Sequence, residues 1–141
     1  MKKAAVIYWS GTGNTEAMAN AVAEGMKGAG AEVSLLSADA VSAADLAGLD
    51  AVALGCPAMG SEVLEEDEFE PMFSDCKADL PGKAVALFGS YGWGDGEWMR
   101  TWEEDCKNAG ISLACDSVIC CETPGDIELE ACRELGRELV K

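Results

Sequence analysis

At 141 residues the chain is sized for one domain around one core and is too short for two domains of ordinary size. Hydrophobic residues (49%) and charged residues (26%) stand near globular averages, which argues against a disordered or membrane-embedded chain. Ten Lys and Arg against 26 Asp and Glu, with no His, give a net charge of −16, a field that repels nucleic-acid phosphates and anionic membrane surfaces and favours basic protein partners.

Apolar runs alternate with longer amphipathic stretches along the whole chain. Ala4 to Trp9 reads as a first strand; its six residues are too few for a signal-peptide core, so a cytoplasmic location is expected. A helix is predicted over Thr15 to Ala29, where Ala17, Met18, Ala21, Val22 and Met26 share one stripe. Val33 to Leu36 is a second strand, Ser42 to Ala47 a short helix and Ala51 to Gly55 a third strand. Phe69 to Cys76 is helical, Ala84 to Gly89 a fourth strand, Trp98 to Ala109 a helix and Ile111 to Cys121 a fifth strand. The last helix, Ile127 to Val140, carries Ala131, Cys132, Leu135 and Leu139 on one face. Gly30, Gly82 and Gly110 stand shortly before strands, where a helix C-terminus needs positive φ. This alternation predicts a doubly wound α/β domain over residues 1–141, with right-handed crossovers and a parallel sheet covered by helices on both faces.

The seven cysteines, Cys56, Cys76, Cys106, Cys115, Cys120, Cys121 and Cys132, include no C-x-x-C pair. Without His or paired thiol spacing a zinc site is not expected, nor is an iron–sulfur cluster; buried free thiols are.

In an open parallel sheet, ligands bind beyond the carboxyl ends of the strands, so the loops after the strands are where chemistry is expected. The loop Ser10-Gly11-Thr12-Gly13-Asn14-Thr15 joins a strand to a helix. Glycine backbone and three hydroxyls at a helix N-terminus make a phosphate cradle, and the absence of Lys separates it from a Walker loop and suits a phosphate monoester. After the third strand, Pro57-Ala58-Met59-Gly60-Ser61-Glu62 offers a polarizable surface in Met59 and an acceptor in Glu62, both suited to a flat heteroaromatic ring. After the fourth, Ser90-Tyr91-Gly92-Trp93-Gly94 holds an indole between glycines, which favours stacking on a ligand, whereas Trp98 and Trp102 are expected to pack inside.

These three loops, in this order, resemble those of the short-chain flavodoxins. The resemblance spans nearly the whole chain and implies a five-stranded sheet of order 2-1-3-4-5, with non-covalent flavin mononucleotide (FMN) as cofactor. It implies that residues 10–15 hold the phosphate, that Met59 and Trp93 cover opposite faces of the isoalloxazine, that Glu62 accepts from flavin N3–H, and that the backbone of Ser90 to Gly94 meets the pyrimidine edge, with Glu122 near the site. It further implies a low-potential one-electron carrier working between semiquinone and hydroquinone, with the Met59–Gly60 peptide turning to accept the N5 proton. No catalytic residue or metal site is then expected, and a monomer serving redox proteins with basic docking surfaces is. The acidic run Glu62, Glu65, Glu66, Asp67, Glu68 and Glu70 beside the site is read as the docking patch. Three alternatives share parts of this pattern. An FMN-dependent NAD(P)H oxidoreductase needs room over the flavin that Met59 and Trp93 would close, an accessory activator of a radical enzyme would differ in its partner, and a phospho-acceptor domain needs an Asp where Cys56 and Pro57 stand.

Overall fold

The computed structural model describes residues 2–11, 13–59, 63–92 and 94–141. Strands β1 (Lys3–Tyr8), β2 (Glu32–Ser37), β3 (Ala51–Gly55), β4 (Ala84–Tyr91) and β5 (Val118–Cys121) alternate with helices α1 (Asn14–Gly28), α2 (Phe69–Cys76), α3 (Glu97–Asn108) and α4 (Asp126–Leu139). The strands form one parallel sheet in the order β2-β1-β3-β4-β5. The chain therefore winds outward first to one side of β1 and then to the other. The reversal of direction leaves the carboxyl ends of β1 and β3 side by side with a crevice above them.

Two apolar layers sandwich the sheet. Ile7, Val52, Leu54, Val85 and Leu87 meet Phe69, Met72, Phe73, Trp98 and Trp102 of α2 and α3. On the other face, Val6, Ala53, Ala86 and Phe88 meet Met18, Val22 and Met26 of α1 and Cys132, Leu135 and Leu139 of α4. All five residues of β3 are buried, as a central parallel strand requires, whereas edge strand β2 leaves Leu35 42% exposed. Helices α1 and α4 pack with backbones nearly touching. A Cβ on Gly25 would stand 2.0 Å from the Arg133 carbonyl oxygen, and one on Gly136 would stand 2.2 Å from that of Val22.

Three helices begin one residue before their apolar stripe, at Asn14, Glu97 and Asp126, because polar residues serve a first turn whose N–H groups are unpaired. Pro71 sits in the first turn of α2, where its missing N–H costs nothing. Two expectations are corrected. Ser42 to Ala47 is no α-helix but a single 3₁₀ turn, Ala43–Leu46, preceded by another over Ala38–Ala40. Asp45 accepts a hydrogen bond from Ser42 N at 2.8 Å and closes the turn on itself. Ile111 to Cys121 is not one strand: Leu113 bridges Val85, and pairing resumes only at Val118 opposite Phe88. The chain spends two residues more than β4 over that span, and they loop out around Asp116, with Ser117 Oγ donating to Glu103 Oε2 at 2.6 Å.

Candidate functional site

The loops following β1, β3 and β4 and the end of β5 enclose a groove of about 410 Å³ above the carboxyl edge of the sheet, within the range of small-ligand sites. From the first loop it is lined by Gly11 and Asn14, from the second by Pro57, Ala58 and Met59, and from the third by Ser90, Tyr91 and Gly92; Glu122 closes the far end. The sequence pattern thus placed nine of the described candidates around one cavity. It missed Trp9, which the apolar run assigned to the strand. β1 ends at Tyr8, and Trp9, one residue beyond, turns into the groove wall. An aromatic in the last position before a glycine-rich loop was the available signal. Thr12, Gly60, Glu62 and Trp93 lie outside the described residues.

Short hydrogen bonds tie the loops to one another. Trp9 Nε1 donates to Glu68 Oε1 at 2.8 Å, joining the first loop to the second. Ala58 N donates to the Ser90 carbonyl at 3.0 Å, and Glu122 N to the Tyr91 carbonyl at 2.7 Å. Thr15 Oγ1 and Ser90 Oγ stand 3.1 Å apart, both buried, so the Thr15 hydroxyl links α1 to β4 beneath the groove. Ser10 lies at the mouth of the first loop, where its Oγ accepts from Gly13 N at 3.1 Å and Glu16 N at 3.2 Å. With its lone pairs so engaged, the hydroxyl proton is left to donate outward. Gly13, at φ 94°, makes the left-handed entry into α1 and has no side chain to cap the helix. Gly94 is likewise left-handed, in the exposed turn before α3. Glu122 is the one described non-glycine residue with positive φ, at 61°.

Behind this lining lies a rigid second layer. Trp98 is buried and donates from Nε1 to the Cys56 carbonyl at 3.1 Å, while its ring meets Tyr91 at 5.4 Å. Trp102 packs edge-on against Phe69 and Phe73. Both indoles are therefore packing residues, as their helical spacing suggests. Burial pushes the Cys56 thiol up to about 12, beside the Glu65 carboxylate. Among the seven thiols, Cys121 is exposed and Cys115 half-buried, and the other five are buried.

The acidic run is not uniformly a surface. Glu65 is only 5% exposed, and its carboxylate accepts from Asp67 N, Glu68 N and Phe69 N at 2.9, 2.7 and 2.8 Å. It therefore caps the start of α2 and is corrected from docking residue to structural cap, leaving Glu66, Asp67, Glu68 and Glu70 exposed. Burial alone would raise the Glu65 carboxyl; the three backbone donors outweigh it and hold the group below its ordinary value.

The groove's chemistry fits FMN. Hydroxyl and amide donors at the start of α1 suit a phosphate, and the close Gly11–Trp9 approach, where a Cβ would stand 3.0 Å from the ring, leaves no room for a larger residue in the cradle. Pro57, Ala58, Met59, Trp9 and Tyr91 give the remainder an apolar, polarizable wall suited to a flat ring.

Comparison with known proteins agrees. The flavodoxin family model matches residues 6–136. The chain belongs to the flavodoxin family. It is 45% identical to the flavodoxin of Megasphaera elsdenii over 136 residues, covering 96% of this chain and 97% of that protein. It is 44% identical to the flavodoxin of Clostridium beijerinckii over 134 residues, covering 95% and 96%. The solution structure of the two-electron reduced M. elsdenii flavodoxin superposes with a TM-score of 0.89 at 44% identity, covering 97% of this chain and 98% of that one. This flavodoxin is accordingly an FMN-binding electron carrier for redox partners and not an enzyme. Among the described residues, no helix is long and apolar enough to cross a membrane.

Proposed function

We propose that this flavodoxin is a low-potential one-electron carrier, a monomer of one domain over residues 1–141, that cycles FMN between semiquinone and hydroquinone in the cytoplasm. One observation carries the reading. Among the described residues the groove has no cationic lining, and Glu122 stands at its rim. Full reduction places a negative charge on the flavin ring. A site with apolar walls, no counter-cation and a net protein charge of −16 disfavours that anion, so the reduced cofactor surrenders its electron readily.

In this reading the N-terminus of α1, the Ser10 hydroxyl and the amides of residues 10–15 hold the phosphate. Met59 would cover one ring face and Trp93 the other, Glu62 would accept from the flavin N3–H, and the backbone of Ser90 to Gly94 would meet the pyrimidine edge. The Met59–Gly60 peptide carbonyl would accept the flavin N5 proton. Electrons pass to and from redox proteins whose basic surfaces dock on the exposed carboxylates Glu66, Asp67, Glu68 and Glu70. Anaerobic reductive titration of the purified protein tests the assignment. A blue neutral semiquinone should accumulate, and Gly60→Ala should lower its yield. Direct passage from oxidised to fully reduced flavin, without that species, would overturn the one-electron reading.

A further inference from the structure

The Trp9 backbone N–H donates to the Gly55 carbonyl at 3.0 Å, so β3 holds the main chain and only the indole has a choice of direction. The indole is held at both ends. Its six-membered ring lies against Gly11, where a Cβ would stand 3.0 Å from Cη2 and 3.2 Å from Cζ3. Its pyrrole N–H donates to Glu68 Oε1 at 2.8 Å, across 59 positions of sequence. The ring, half-buried in the groove wall, is thus a strut between the loop after β1 and the start of α2.

Glu68 immediately precedes α2, a position whose acidic side chain ordinarily serves the unpaired N–H groups of its own helix. Among the described residues it makes no such bond. Glu65 performs that service instead, accepting from Glu68 N and Phe69 N at 2.7 and 2.8 Å. The Glu68 backbone is thereby fixed and its side chain is left to reach back to Trp9. Although Glu68 is exposed and could point wholly into water, it keeps one charge-assisted contact with a residue of the groove. Gly11 has no side chain to brace the loop it belongs to, and the indole edge supplies the brace. Freed from Glu68, the ring can turn to another rotamer and withdraw that support.

We propose that Glu68 is a positioning residue for FMN: acting through Trp9, it braces the phosphate cradle from the second loop, so that cradle and ring wall are set as one unit. This role rests on FMN occupying the groove with its phosphate at the start of α1, as proposed above, and it gives one carboxylate of the acidic run a task apart from docking. Simple electrostatics predicts the opposite sign. Removing an acid near an anionic phosphate should tighten FMN, whereas losing the brace should weaken it.

Fluorescence titration of the full-length chain with FMN and with riboflavin is the test. Glu68→Ala should weaken FMN about fivefold and leave riboflavin, which has no phosphate, within about twofold of its native affinity. Glu68→Gln keeps the acceptor oxygen without the charge and should restore most of the FMN affinity. Trp9→Phe keeps an apolar ring without the N–H, and adding Glu68→Ala to it should weaken FMN no further. Tighter or unchanged FMN binding in Glu68→Ala, equal losses for the two flavins, or additive losses in the double variant would overturn the proposal. Amide shifts induced by FMN in the native ¹⁵N-labelled chain separate this role from the siting on which it rests; they are expected at Ala58, Ser90 and Tyr91, which line the groove. Shifts confined to other parts of the molecule would sink the siting and the brace together, whereas shifts at the groove with native affinity in Glu68→Ala would sink the brace alone.

Discussion

Glu65→Gln perturbs the second loop without changing its shape. In the native protein Oε1 accepts from both Glu68 N and Phe69 N, and Oε2 accepts from Asp67 N. Glutamine retains one carbonyl oxygen, which keeps the first two bonds but without charge assistance. Its amide then faces the Asp67 N–H, donor against donor. Losing one charge-assisted bond and weakening two should cost about 2 kcal/mol, with the group almost wholly out of water. For a chain of this size that is a fall in Tm of about 6 °C. The pH dependence fixes the cause. The folded-state pKa lies below the ordinary value of 4.5, so the stabilisation is complete above that value and is lost as pH falls through the folded one. Urea denaturation of both proteins at fixed FMN, from pH 7 down to the acid limit of folding, should show the full deficit at neutral pH and convergence at the acid end. Equal midpoints at pH 7, or a deficit that persists unchanged after the native carboxyl is protonated, would refute the capping role.

Three further outcomes follow from other parts of the molecule. Ser10→Ala should weaken FMN binding about tenfold while leaving riboflavin, which lacks the phosphate, nearly unchanged; equal losses for both in fluorescence titrations would place Ser10 away from the phosphate. Gly136→Ala brings a methyl to 2.2 Å from the Val22 carbonyl and should cost about 1–3 kcal/mol in chemical denaturation by prying α4 from α1. Under native conditions at pH 8 a thiol reagent should label Cys121 first, while Cys56, Cys106 and Cys132, each pushed up to about 12 chiefly by burial, should react only on unfolding; early labelling of any of these three would contradict their burial.

Much of the architecture follows from the order of residues. A wholly apolar Ala51 to Gly55 can only be a strand covered on both faces, and the stripes of α1 and α4 fix which side of each helix turns inward. Glycines at the ends of helices, Gly30, Gly82 and Gly110, mark the turns and all adopt positive φ. The turn from β1 into α1 was legible for the same reason: Gly13 adopts the left-handed conformation that opens the helix, a local requirement written in consecutive residues.

What the sequence could not decide are the interactions made between distant segments. Six acids in nine residues look alike in a row, yet only the packing of the second loop over Cys56 turns Glu65 inward to cap α2 and leaves its neighbours in water. Ile111 to Cys121 is apolar enough for a strand, but the register against β4 accommodates two fewer residues than it contains, and the excess loops out. Trp9 reads as one more apolar residue in β1 until Glu68, 59 positions later, is brought within 2.8 Å and holds its ring in the wall of the groove above the sheet. Periodicity and local motifs report what each residue wants from its neighbours in the chain. Register, capping across loops and the shape of a groove depend on which segments the sheet order brings side by side, and that is settled only when the whole domain closes around its core.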